Sequence, residues 1–126
     1  DPAGLFTYVA CELNKLDLAY LHLIEPRVLG VAEDERRDQN PVPSQLIRQH
    51  YKGTLIAAGG FSGESAKAIL EASDADLVAF GRHFIANPDL PERLRKGWPL
   101  NPYDRETFFG GTEVGYTDYP FHTEAA

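Results

Sequence analysis

Thr54-Leu55-Ile56-Ala57-Ala58-Gly59-Gly60 and Leu77-Val78-Ala79-Phe80-Gly81-Arg82 are two short apolar runs that each stop abruptly at glycine. Both fit strands buried on both faces, here read as Thr54 to Ala58 and Leu77 to Phe80. Between them, Ser62 is suited to cap a helix with Glu64 in its first turn and Ala66, Ile69 and Leu70 facing inward. The order is therefore strand, loop, helix, strand, loop. Glycine lets main-chain N–H groups come close to an oxyanion, and Arg82 adds a permanent planar cation beside them. The plainer reading is a pair of tight turns and an arginine on a solvated rim. Matched glycines at two consecutive strand ends point instead to a phosphate site, as built after strands seven and eight of a (β/α)8 barrel.

Working outward, Phe6, Val9, Ala10 and Leu13 recur at helical spacing, with Leu16 extending the stripe until Asp17 breaks it. Ala19 to Ile24 reads as a further strand, ended by Pro26. Val28 to Asn40 reads as a long exposed loop with an acidic run, Glu33 to Asp38, interrupted by Arg36 and Arg37. Pro43 or Ser44 begins a short helix through Tyr51, with Gly53 after its end. His83 to Ala86 makes a helical turn. Asn87-Pro88-Asp89 starts another helix with Leu90 and Leu94 inward, and Gly97 closes it. From Trp98 on, Pro, Gly and aromatics without periodicity predict an extended tail packed on the body.

The chain has 126 residues, whereas a full (β/α)8 barrel needs about 250, so the expectation is less than half a barrel. Because the chain opens on Asp1 rather than methionine, the remainder is expected upstream. A net charge of −7 with scattered basic residues argues against a nucleic-acid partner. One cysteine, Cys11, on the apolar side of a helix, fits packing and a reducing compartment. The absence of a long apolar span or address motif leads to the expectation of a cytoplasmic protein that makes no membrane contact. No cluster has metal-ligand spacing, and no Gly-x-Ser-x-Gly elbow occurs. Arg27 follows the first strand and suits a substrate or cofactor contact, or an ion pair with Glu25. His22 reads as a hydrogen-bonded core histidine, His83 as lining the site or capping its helix, and His50 and His122 as surface residues. In Gly115-Tyr116-Thr117-Asp118-Tyr119-Pro120 the tyrosines either pack the tail or fold over a flat ligand.

Ile24-Glu25-Pro26-Arg27, Ala58-Gly59-Gly60-Phe61, Phe80-Gly81-Arg82-His83-Phe84-Ile85-Ala86-Asn87-Pro88-Asp89-Leu90, the stretch from Leu100 to Phe109 and Gly115 to Pro120 together resemble the old yellow enzyme family. The likeness is to its 12-oxophytodienoate reductase and N-ethylmaleimide reductase branch and runs from about Tyr20 to Phe121. The resemblance implies an α/β fold, the C-terminal part (about strands six to eight) of a TIM barrel that forms a single FMN-binding domain. It implies reduction of an α,β-unsaturated carbonyl compound by NAD(P)H through FMN, the hydride arriving at the β-carbon. FMN contacts carry over to Gly60, Gly81 and Arg82, with Gly59 adjacent, and substrate contacts to Arg27 and Tyr116. The family's proton-donating tyrosine and histidine-containing pair belong to its first five strands, so no catalytic residue is expected here. Residues 1–126 alone are expected neither to fold stably nor to turn over. Two other readings compete: an isomerase- or aldolase-type phosphate-binding barrel, which would not be yellow, and a non-catalytic half-barrel that acts by association.

Overall fold

In a computed structural model the chain is described over residues 1–26, 28–29, 32–33 and 43–123. It divides into two compact units, Asp1–Ala79 and Phe80–Ala126.

The first unit opens on helix α1, Pro2–Leu13, whose Gly4 amide donates to Asp1 Oδ1 at 2.9 Å. Asp1 thus satisfies one of the amides that a helix start leaves orphaned, and proline occupies a first-turn position where its missing N–H costs nothing. Of the expected apolar stripe only Ala10 is buried, while Phe6, Val9 and Leu16 remain exposed. Ala10 joins Ile47, Tyr51 and Leu55 in the core, with Leu21 and Leu23 packed against it.

Strands β1 (Leu21–Ile24), β4 (Leu55–Ala58) and β5 (Leu77–Ala79) form one parallel sheet in the order β1-β4-β5. Helix α2, Pro43–Arg48, lies between the first two strands in the chain, and α3, Gly63–Glu71, between the last two. Parallel neighbours require such crossovers, because a tight hairpin cannot return the chain in the same direction. Leu21 and Leu23 pair with Leu55 and Ala57, which places all four on the face of the core cluster. The opposite face carries His22, Ile24, Ile56, Ala58, Leu77 and Ala79. There Ile24 is 73% and Leu77 53% exposed, so burial on both faces, as the apolar runs suggested, is not found. His22 is exposed rather than a core histidine, because strand alternation turns it away from the helices.

The stretch read as one long loop holds two short strands, β2 (Val28–Leu29) and β3 (Ala32–Glu33), paired antiparallel. The rest of that stretch lies outside the described residues. Gly53 does not close α2, which ends at Arg48. The gap between Arg48 and β4 is tied by Arg48 Nη1, which donates to the carbonyls of Tyr51 and Gly53 at 3.3 and 3.0 Å.

Ser62 caps α3 as expected: its Oγ accepts from the Ser65 amide at 3.1 Å. The reciprocal bond from the Ser62 amide goes to Ser65 Oγ, not to Glu64. Leu70 is exposed, leaving Ala66 and Ile69 as the buried positions of this helix. At the other end Ser73 takes φ 61°, with its amide bonded to Leu70 O and that of Asp74 to Ile69 O. These are the two bonds of a Schellman termination, made without glycine. Asp76 then accepts from the Leu55 amide at 2.7 Å and pairs with Arg48. The Leu55 amide, more than the Arg48 guanidinium, holds its carboxyl below the usual range despite partial burial.

The second unit contains α4 (Arg82–Ala86), α5 (Leu90–Lys96), a 3₁₀ turn (Arg105–Thr107) and otherwise irregular backbone. Gly97 ends α5 in the left-handed conformation. Ala86 and Leu90 are buried, as the inward reading of Leu90 predicts, and beside them lies a buried polar network around Arg93, which is 3% exposed, a position that the Leu90/Leu94 stripe concealed. Arg93 donates to Asp89 Oδ1 (2.6 Å), Pro99 O (2.7 Å), Asn101 Oδ1 (3.3 Å) and Pro120 O (2.9 Å). Asn87, fully buried, accepts from the Asn101 amide at 2.7 Å and donates to His83 O at 2.8 Å. The tail is thereby fastened by carbonyls and side-chain amides, which irregular backbone must find somewhere.

Asp89 precedes α5 but makes no capping bond to it; its carboxylate serves Arg93 and the His122 amide, the latter at 2.7 Å. Burial alone would raise the Asp89 carboxyl, yet the His122 amide and Arg93 together bring it below the ordinary value. The unfolded carboxyl titrates near 3.9. A lowered folded value means that this contribution is fully present above that pH and is lost as pH falls through the folded value. The protection of amides across residues 98–123, taken relative to their intrinsic exchange rates, is therefore expected to fall below about pH 4, and Asp89→Asn to flatten that acid response while lowering protection at neutral pH. An unchanged acid profile in the variant would refute the assignment.

Candidate functional site

β1 and β4 end level, with Ile24 beside Ala58, and β4 and β5 likewise, with Ala58 beside Ala79. The carboxyl ends of the three strands thus share one edge of the sheet. Glu25 follows the first strand, Gly59-Gly60 the second and, one residue on, Gly81-Arg82 the third.

Glu25 is almost fully buried. Its carboxylate accepts from Ser44 Oγ at 2.5 Å and the Ser44 amide at 3.3 Å, and its own amide donates to Ala58 O at 2.7 Å. The buried charge is thus bonded to the start of α2. Glu25 is a structural clamp on which the sequence offered only an ion-pair reading. Arg27, the expected substrate contact, lies outside the described residues.

Gly59 has φ 106°, and a Cβ there would stand 3.0 Å from Glu25 O and 3.2 Å from Glu25 N. The fold itself therefore demands glycine at this position, both for its torsion and for its approach to β1. Gly60 also has positive φ, 66°. Gly81 is different: its φ is −88° with ψ −92°, and a Cβ would meet no atom of the described residues within 4 Å. Crowding by the described residues does not account for glycine at 81. That room is what a cradle for an oxyanion needs, and the neighbouring Arg82 is the donor type suited to one.

Arg82 is half-buried, and its guanidinium carbon lies 5.3 Å from the centroid of the Tyr103 ring. His83 meets the same ring edge-on at 5.5 Å, and Phe108 stacks on it at 5.8 Å. Tyr103 carried no signal in the sequence beyond its place in a resemblance motif. Tyr116 is 38% exposed, and its hydroxyl accepts from the Phe109 amide at 2.6 Å. Tyr119 does the same for Asp104 at 2.9 Å, and Asp118 Oδ1 accepts from the Gly115 amide at 2.8 Å. The Tyr-Thr-Asp-Tyr-Pro segment thus folds the tail. His122, expected on the surface, stacks on Trp98 at 4.1 Å, and His50 is half-buried after α2. Cys11 is half-buried and not in a disulfide. Among the described residues no group of three or more His, Cys, Asp or Glu gathers, and no helix is long and apolar enough to cross a membrane.

A family model described as NADH:flavin oxidoreductase / NADH oxidase matches residues 6–101. The chain is 44% identical over 121 residues to 12-oxophytodienoate reductase 2 of Arabidopsis thaliana, covering 95% of this chain and 32% of the relative. Among solved structures it is similar to morphinone reductase, with a TM-score of 0.80 and 48% identity over 97% of this chain and 32% of that one. The old yellow enzyme from Trypanosoma cruzi gives a TM-score of 0.82 at 36% identity, over 97% and 30%. The chain spans about a third of the length of these proteins.

Proposed function

The chain belongs to the NADH:flavin oxidoreductase / NADH oxidase family, and from that premise we propose that the protein carrying it is an FMN-dependent ene-reductase of the old yellow enzyme kind. Its three parallel strands would then be strands six to eight of a (β/α)8 barrel, whose carboxyl ends face the site. Family membership removes the isomerase or aldolase alternative.

In this reading Gly59, Gly60, Gly81 and Arg82 hold the FMN phosphate, the glycines through amides and Arg82 through two parallel charge-assisted bonds. The observation that carries it is Gly81: a glycine beside an arginine at a strand end, with open space among the described residues where a Cβ would stand. The chemistry that FMN supplies when bound is the relay of a hydride from NAD(P)H to the β-carbon of an α,β-unsaturated carbonyl compound. The chain's own contribution is anchoring and walls. Arg27 and Tyr116 are assigned to the substrate side. The Tyr116 oxygen already accepts one hydrogen bond, from the Phe109 amide, which leaves its O–H to donate to a substrate oxygen. No residue of this chain is assigned to proton transfer; that role falls to the family's tyrosine and histidine pair upstream.

The test is the flavin content and affinity of the full-length protein. It is expected to purify yellow, and Arg82→Ala to weaken FMN by about a hundredfold or more, since two charged hydrogen bonds are lost, while riboflavin, which lacks the phosphate, binds as before. Equal affinity of wild type and Arg82→Ala for FMN would overturn the assignment.

A further inference from the structure

Thr107 to Gly110 form a turn closed by the Gly110 amide, which donates to Thr107 O at 3.0 Å. Phe108 has φ −64° and ψ 132°, and Phe109 has φ 60°. These torsions follow a type II turn, whose third position calls for glycine or asparagine because a Cβ there crowds the backbone. Glycine stands one residue further on, yet the left-handed position carries phenylalanine. The ring is not repaid by packing. Phe109 is 86% exposed, more than any other large hydrophobic side chain among the described residues. Backbone strain of this kind, held without a packing reason, directs attention to a ligand. The turn is fastened from behind by Tyr116, whose hydroxyl oxygen accepts from the Phe109 amide at 2.6 Å. Tyr116 is itself fixed: its own amide donates to Glu113 O at 3.0 Å, and that of Gly115 to Asp118 Oδ1 at 2.8 Å.

We propose that Phe109 is a specificity-determining residue: its ring forms an apolar wall beside Tyr116 that favours α,β-unsaturated carbonyl compounds carrying an apolar substituent away from the carbonyl. The inference rests on the assignment of Tyr116 to the substrate side. The Phe109 ring springs from the Cα next to the amide bonded to the Tyr116 oxygen, so a molecule held by the Tyr116 O–H reaches the ring with a substituent a few carbons long. An apolar substituent laid on that exposed ring removes hydrocarbon surface from water on both partners, which a bare carbonyl compound cannot do. Glycine at this position would relax the turn and offer no wall. Phenylalanine keeps the wall and accepts the torsion.

The experiment uses the FMN-loaded full-length protein and two saturated ketones, cyclohexanone and a pentylcyclohexanone with its chain opposite the carbonyl. Lacking the alkene, both bind without turning over, and calorimetry follows them into wild type, Phe109→Ala, Phe109→Leu and Tyr116→Phe. Phe109→Ala is expected to weaken the pentyl ketone about tenfold more than cyclohexanone, the effect of losing roughly 55 Å² of apolar contact. Phe109→Leu keeps an apolar side chain and is expected to recover much of that preference. With the corresponding enones the preference is expected to shift by the same factor through KM rather than kcat. Equal changes for the two ketones, or no change for either, would overturn the proposal. So would a lower thermal midpoint of Phe109→Ala with the preference intact, since the ring would then be a packing element. Tyr116→Phe separates the inference from its premise. If it weakens both ketones while the Phe109 variants keep the wild-type preference, only the role of Phe109 falls. If it binds both ketones as wild type does, the substrate-side assignment falls and takes this inference with it.

Discussion

Arg93→Met is expected to destabilise residues 80–126 by about 3–5 kcal/mol, the cost of breaking a buried ion pair by removing one partner. The side chain is 3% exposed and serves four oxygens drawn from four separate positions: Asp89, Pro99, Asn101 and Pro120. Methionine fills much of the volume but leaves the Asp89 carboxylate without its cation and Pro99 O without this donor, while Pro120 O keeps only Asn101 Nδ2. Arg93→Lys keeps the charge yet loses the planar fork that reaches several acceptors at once, so it is expected to recover only part of the loss. Arg95→Ala makes the control. Its partner is Glu92 on an exposed helix face, and such pairs contribute about 0.5 kcal/mol or less. Urea unfolding, with limited proteolysis of the 98–123 segment, reads all three. Equal stability of Arg93→Met and Arg95→Ala would refute the network as the organiser of this unit.

Gly81→Ala and Gly59→Ala are expected to fail in opposite ways. At Gly59 an added methyl meets the Glu25 backbone at 3.0 Å with φ 106°, so the fold itself is expected to lose about 1–3 kcal/mol. At Gly81 the same methyl meets no atom of the described residues within 4 Å, and φ is −88° with ψ −92°. Flavin-free stability should there fall less than in Gly59→Ala, because the methyl is not crowded and φ is not positive. FMN affinity is nevertheless expected to fall at least about tenfold, because a methyl beside a phosphate oxygen displaces it from the amide and forfeits one charge-assisted bond. Thermal unfolding of the flavin-free protein and FMN titration measure the two effects separately. Undiminished FMN affinity in Gly81→Ala would show that the open space at this position is not used by the phosphate.

The parallel order of the three strands was legible because periodicity, glycine stops and an intervening helix pattern agreed with one another. The Ser62 cap and the Gly97 stop were legible for the same reason: each depends on neighbours a few residues away. The errors were of another kind. His22 was assigned to the core from its place in an apolar run, but which face of a strand is covered depends on the helices that cross it. Asp89 does stand at the start of a helix, as its pattern predicts, but that pattern could not show that a partner 33 residues on, the His122 amide, claims its carboxylate. In the candidate site, Gly59 and Gly60 were grouped with Gly81 as equivalent glycines. Only neighbouring atoms and φ distinguish Gly59, where a Cβ would crowd the Glu25 backbone, from Gly81, where it would meet open space among the described residues.

By itself the amino-acid sequence determined the strand–helix alternation and the positions of glycine and arginine after the strand ends, since these follow from local composition and spacing, while its motifs carried the resemblance to a family. Tertiary structure alone decided that Arg93 and Asn87 are interior, that Glu25 is bound to Ser44, and that Tyr103 lies against Arg82. Those facts join residues up to about thirty positions apart, and hydrogen-bond geometry or ring contact between distant segments leaves no period in the chain from which it could be read.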